Sequence, residues 1–204
     1  MQQQQQQQYE KKKKKKGTIN KKKIEKLLRQ LLIELGENPD REGLRDTPRR
    51  MADMYEEIFA GYMMNAELDV SFGEETDAII AKDIQFYSMC EHHMLPFYGK
   101  IHIAYVPSGK VFGISKLARL VEKFSRRMQI QERLTKEVTE EIMKMGVKGV
   151  LVVAECEHLC MKMRGVRNSS LIMTIAHRGI MDQKELREHI IALMHNSKPD
   201  MRPI

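Results

Sequence analysis

From residue 24 onward the chain switches between two spacings of apolar side chains. Ile24, Leu27, Leu28, Leu31 and Leu32 recur three and four residues apart, which predicts an amphipathic helix closing near Gly36-Glu37-Asn38-Pro39. Thr47-Pro48 reads as a capping hydroxyl before a proline at the first helical position, opening a second helix through Met51, Met54, Tyr55 and Ile58 to Gly61. Residues 78–90 and 99–107 instead alternate apolar and polar over strand lengths, joined by Cys90-Glu91-His92-His93-Met94-Leu95-Pro96. Helical spacing returns over Ser115 to Met128, with Leu117, Leu120, Val121 and Phe124 as its stripe, and over Gln131 to Met145. Val147 to Ala154 and Leu171 to Ala176 read as strands. A last helix is predicted from Asp182, with Glu185 completing a capping box, to about His195. Two helices, two strands, two helices, two strands and a helix make an α+β order, which favours antiparallel hairpins over parallel crossovers.

Ahead of this pattern lies a different kind of sequence. Gln2 to Gln8 and Lys11 to Lys16 are homopolymer runs without any apolar spacing that could build a core. Residues 1–23 are therefore expected to be a disordered basic tail, 24–75 an N-terminal helical region, and 76–204 the domain that carries the candidate chemistry. With 204 residues, 42% of them hydrophobic, the chain can bury one sizeable core. The formal charge of +7 looks like an affinity for nucleic acid until it is located. Nine of the 35 Lys and Arg and one of the 28 Asp and Glu fall in residues 1–23, leaving a near-neutral body of 26 basic and 27 acidic residues. Neither nucleic acid nor a membrane is expected as a partner. Three cysteines close to histidines, with no apolar leader segment, fit a reducing cytoplasm in which thiols serve as ligands rather than in disulfides.

The chemistry concentrates in two clusters. Cys90-Glu91-His92-His93 puts a thiol and an imidazole three residues apart, and Cys156-Glu157-His158-Leu159-Cys160 supplies a second half-site, in which an extended chain would set Cys156, His158 and Cys160 on one face. Zinc suits such donors. Spacing alone leaves two arrangements open: a closed four-ligand structural site, or three ligands with a position free for water. His92 beside a ligand suits proton transfer, and Ser115, Lys116, Arg119, Arg164 and Arg167 are donors of the kind a polyphosphate requires. Glu132, at a helix start, is a natural bidentate partner for the adjoining N–H donors of guanine.

Ser-Met-Cys-Glu-His-His at 88–93, Gly-Ile-Ser-Lys-Leu-Ala-Arg at 113–119, Gln-Glu-Arg-Leu at 131–134 and His-Leu-Cys-Met-Lys-Met-Arg-Gly-Val at 158–166 together resemble the motifs of the GTP cyclohydrolase I family, in order. The resemblance runs from about Ile24 to His195 and is densest between 84 and 166. It implies a tunnelling fold over 76–204, antiparallel sheet with helix pairs, assembling into rings as a homodecamer of two pentamers with sites between subunits. It implies Zn2+ on Cys90, His93 and Cys160 with water in the fourth position, which selects the open arrangement. His92 and His158 would move protons. Glu132, with Gln131 beside it, would hold the guanine, while Ser115, Lys116, Arg119 and Arg164 would hold the ribose and triphosphate. The implied reaction opens the guanine imidazole ring of GTP, releases formate, and recloses the ring as 7,8-dihydroneopterin triphosphate. Cys156, the stretch 167–174 and His177 depart from the family pattern, and His102, His189 and His195 have no motif partners. A cysteine-nucleophile nitrile reductase of the same superfamily is disfavoured by the His-His pair and the distant His-x-Cys. A zinc protein with an RNA-binding tail is disfavoured by the neutral body and by a tail without interleaved aromatics.

Overall fold

The computed structural model describes residues 19–64, 71–74 and 76–196. They divide into two compact units, with the boundary after residue 65. The expected disordered tail lies outside the described residues as far as residue 18.

In the first unit, helix α1 (Lys21–Glu34) begins a turn before the apolar spacing does. The Asn20 side chain accepts the Lys23 N–H at 3.0 Å, and Lys21 reaches Asp53 and Glu56 on the second helix at 3.2 and 2.9 Å. Gly36 ends α1 at φ +82°, its N–H and that of Glu37 returning to the Ile33 and Leu32 carbonyls. Helix α2 (Thr47–Ile58) packs against α1 through buried Leu28, Pro48 and Ala52. Thr47 is not its cap, as the sequence suggested. It is the first helical residue after Asp46, and its hydroxyl turns back to the Gly43 carbonyl.

The second unit is a five-stranded sheet in the order β5-β2-β3-β6-β7, with β2 Ile79–Cys90, β3 Pro96–Val106, β5 Met128–Gln129, β6 Gly149–His158 and β7 Ile172–Gly179. All neighbours are antiparallel except the short β2–β5 pair. A separate ribbon joins β1 (Ser71–Phe72) to β4 (Val111–Phe112). Helices α3 (Ile114–Ser125) and α4 (Gln131–Met143) cover one face, α3 over β2 and α4 over β6 and β7. Alternation explains the split. Phe97, Ile101, Ile103 and Tyr105 of β3, with Val150, Val152 and Ala154 of β6, face Leu117, Leu120, Val121, Leu134, Val138 and Ile142. The intervening Ala104, Val106, Leu151 and Val153 face the other way and pack on Met181, Ile190 and Met194, the last two from helix α6 (Lys184–Asn196). The α+β reading therefore describes the observed class.

Two strands outrun their apolar patterns. β3 begins at Pro96 and β6 continues to His158, because Phe97 and His158 are paired across the ladder. Gly99 of β3 lies two residues further along this ladder, opposite Cys156, where the β6 backbone comes so close that a Cβ would lie 1.9 Å from the Glu155 carbonyl oxygen. At the start of the last helix, Asp182 closes a 3-10 turn (Ile180–Asp182) instead of a capping box, and its carboxylate lies 2.8 Å from His177 Nδ1.

Candidate active site and metal centre

Cys90 ends β2 and Pro96 begins β3, so residues 91–95 form a hairpin tip. The tip is held by its own backbone: Met94 N–H donates to the Cys90 carbonyl and Cys90 N–H to the Leu95 carbonyl, both at 2.9 Å, with Met94 at φ +52°. Glu91 N–H donates to the Gln129 carbonyl at 3.0 Å. Cys90 is buried by this fold, whereas His92 and His93 stand exposed with their rings 6.2 Å apart and nearly perpendicular.

The second cluster behaves differently from an extended run. The strand ends at His158 and a single helical turn, α5 (Leu159–Lys162), follows, so the alternation that would align Cys160 with Cys156 is broken. Cys156 is fully buried in the core, and burial pushes its thiol up to about 12. Cys160, half-buried, packs at the edge of the same core, next to Cys90 and the hairpin tip. The ligand atoms of Cys90, His93 and Cys160 all lie within 4.8 Å of one another, the one such group of His, Cys or carboxylate side chains among the described residues. Cys90 Sγ is 3.9 Å from His93 Nδ1 and 4.0 Å from His92 Nδ1. Burial and then the neighbouring Cys90 thiol raise the Cys160 pKa, with Arg164 opposing. Two neighbouring thiols with an imidazole beside them are a donor set that a soft divalent cation would deprotonate and bridge.

His158 is fixed on two sides. Its ring stacks on Phe97, with centroids 4.8 Å apart and planes 4° from parallel. Nε2 lies 2.8 Å from Gln131 Oε1. Burial lowers its pKa below the usual histidine value, and the Glu132 carboxylate opposes that shift. Gln131, assigned to substrate on the family pattern, is only 1% exposed, and its amide nitrogen donates to the Ala154 and Ile172 carbonyls at 3.1 and 2.9 Å. Its carboxamide is thus occupied within the protein.

Sequence reasoning missed a tie between the two halves of the site. Arg133 on α4 grips Glu91 of the hairpin tip with two parallel bonds of 2.6 and 2.8 Å, which holds the Glu91 carboxyl below its ordinary range. Both residues stood inside the quoted motifs, but 42 positions of sequence separate them and nothing in either motif names the other.

The remaining expected residues lie on exposed surfaces. Ser115 and Arg119 are exposed and Lys116 half-buried on the first two turns of α3, and Arg164 is exposed just after α5. Glu132, exposed at the start of α4, lines a cavity of about 350 Å³ with Thr135, Lys136, Thr174, His177 and Arg178. Of the unmatched histidines, His102 is buried in β3 and His189 lies on α6.

Fold and site together define an α+β protein with a candidate Cys-His-Cys metal centre at one end of a largely antiparallel sheet and a half-buried histidine two residues before one of its ligands. Comparison with known proteins narrows that class. Residues 24–195 match the family GTP cyclohydrolase I, and the chain belongs to it. The chain is 50% identical over 178 residues to a GTP cyclohydrolase 1 of Hyperthermus butylicus, covering 86% of this chain and 92% of that protein. It is 51% identical over 188 residues to that of Carboxydothermus hydrogenoformans, covering 89% and 98%. The protein of the same name from Streptococcus sanguinis is 49% identical over 182 residues, covering 86% and 99%. Among the described residues no helix is long and apolar enough to cross a membrane.

Proposed function

We propose that this chain performs the GTP cyclohydrolase I reaction: hydrolytic opening of the guanine imidazole ring of GTP, loss of the excised carbon as formate, and rearrangement and ring closure to 7,8-dihydroneopterin triphosphate. The observation that carries the reading is the convergence of Cys90, His93 and Cys160 within 4.8 Å, with His92 on the same hairpin tip. The metal assigned to these ligands is zinc. Tetrahedral bonds of about 2.3 Å to sulfur and 2.0–2.1 Å to nitrogen put two ligand atoms about 3.6 Å apart, so the 3.9 Å between Cys90 Sγ and His93 Nδ1 needs only a small closure. When bound, zinc supplies Lewis acidity and a nucleophile at neutral pH.

The chain's own residues do the rest. His158, kept neutral by burial, is ready to take a proton at a ring nitrogen. His92, exposed on the hairpin tip next to the ligand His93, moves protons during ring opening. Glu132 accepts from the ring and exocyclic N–H groups of guanine, and the cavity it lines has the volume of a small-ligand pocket. Ser115, Lys116, Arg119 and Arg164 hold the ribose and triphosphate. We assign the tunnelling fold and a decamer of two pentameric rings in the cytoplasm. The support for assembly is the sheet edge, where β7 leaves Met173 and Ile175 exposed.

The test is incubation with GTP and detection of fluorescent pterin after oxidation, alongside metal analysis. His92→Ala and His158→Ala should keep zinc and lose turnover by about 10²- to 10⁴-fold, while Cys160→Ala should lose the metal. Zinc-replete protein that forms no pterin would overturn the activity. Metal retained in Cys160→Ala but lost in Cys156→Ala would overturn the ligand set.

A further inference from the structure

The Gln131 carboxamide is oriented without ambiguity. Its nitrogen faces two backbone carbonyls, Ala154 at 3.1 Å and Ile172 at 2.9 Å, which can only accept, so that atom must be the NH2. Its oxygen is then the atom 2.8 Å from His158 Nε2. A carboxamide oxygen can only accept, so His158 Nε2 must carry a hydrogen. In a neutral imidazole the other nitrogen is then the lone-pair site. His158 Nδ1 has no hydrogen-bond partner among the described residues, and the ring cannot turn over freely because it lies flat on Phe97.

We infer that Gln131 is a positioning residue: it holds His158 in the Nε2–H tautomer, so that Nδ1 is the atom that receives the proton during turnover. The inference rests on the proposed proton-transfer role of His158 and deepens it, naming the atom and the residue that selects it. It also moves Gln131 from the substrate to the support of a catalytic side chain. The anchor for this is the sheet itself, since the two carbonyls that orient Gln131 belong to adjacent strands, β6 and β7. Both amide hydrogens of Gln131 are taken by these carbonyls, so it has no donor left for substrate, and the residue is 1% exposed. Bonding by the Gln131 oxygen also leaves Nε2–H unavailable as a donor to substrate while the bond persists.

Two experiments test it. The first uses the unaltered zinc-loaded protein labelled with 15N-histidine, at roughly pH 8, where ordinary imidazoles are neutral. The His158 signals, assigned by their loss in His158→Ala, should report hydrogen on Nε2 and a bare Nδ1. Hydrogen on Nδ1 would overturn the inference, whether or not any variant folds. The second is a double-mutant cycle with Gln131→Met, which keeps the length and removes the polar atoms. Alone it should lower kcat by about 10²-fold or more, the scale of one acid-base group, with KM within about threefold and zinc content unchanged. In the His158→Ala background the same change should lower kcat by less than about threefold, because a residue that acts through His158 has nothing left to position. An equal loss in both backgrounds marks a merely structural role, and a large rise in KM marks substrate contact; either result overturns the inference. If His158→Ala itself leaves turnover intact, it is the proposed role of His158 that fails, while the tautomer measured by NMR stands or falls separately.

Discussion

Gly99→Ala should be the most damaging one-carbon change in the sheet. Gly99 pairs with Cys156 across the β3–β6 ladder, and an added methyl carbon would lie 1.9 Å from the Glu155 carbonyl oxygen and 2.9 Å from both Glu155 C and Cys156 Cα. All three are backbone atoms, so no side chain can swing away. Contacts under 3.0 Å are essentially never seen for Cβ, and relief therefore needs the strands to part by more than about 1 Å from their usual 4.7–4.9 Å. That stretches two ladder hydrogen bonds past their useful range, at about 1 kcal/mol net each. Residual overpacking costs about 1–3 kcal/mol more. The total is about 3–5 kcal/mol, or a melting temperature lower by roughly 10 °C or more for a chain of this size. The assay is thermal unfolding by circular dichroism at matched protein and zinc concentrations, since ligand and assembly both shift the midpoint. Gly73→Ala is the control, because nothing lies within 4 Å of its added carbon. Turnover should fall as well, since the Phe97–His158 pair lies two residues along the same ladder. A Gly99→Ala midpoint within about 2 °C of the parent would refute the reasoning.

Three further outcomes are expected. Removing the Glu91–Arg133 pair by Arg133→Ala should lower kcat while moving the unfolding midpoint only slightly, because both side chains are half-buried rather than in the core and the pair orients the hairpin tip; a Glu91→Arg/Arg133→Glu exchange that recovers part of kcat would confirm the tie. His102 accepts the Asp83 N–H through Nδ1, and burial lowers its pKa below 6.5, opposed by Glu155 and Asp83 and aided by Lys82 and Lys100. Its contribution is therefore fully present above about pH 6.5 and lost as pH falls through the lowered folded value, because the unfolded chain takes up the proton first; urea midpoints between pH 7.5 and 5.5 should fall less in His102→Asn than in the parent. Cys156, fully buried with its pKa near 12, should resist iodoacetamide in the native protein, and Cys156→Ala should leave the zinc stoichiometry unchanged on metal analysis.

Helix and strand identities, the α+β class and the candidate metal donors were legible along the chain, because amphipathic spacing and donor type are local properties. Leu117, Leu120, Val121 and Phe124 mark the buried stripe of α3 from sequence alone, and the structure buries all four. The extension of β6 through Glu155–His158 was not legible, since that stretch lacks an apolar pattern and is a strand only because β3 pairs with it. The same dependence governs the site. Cys156 and Cys160 are equivalent donors on paper, and the break from strand to helical turn after His158 is what sends one into the core and the other toward Cys90. Glu91 meets Arg133, and Gln131 meets His158, across 42 and 27 residues of chain. The sequence by itself determined which groups could bind a metal or move a proton. Only the tertiary structure decided which of them meet, because distance between residues remote in the chain is set by sheet register and helix packing, and neither is written in any one segment.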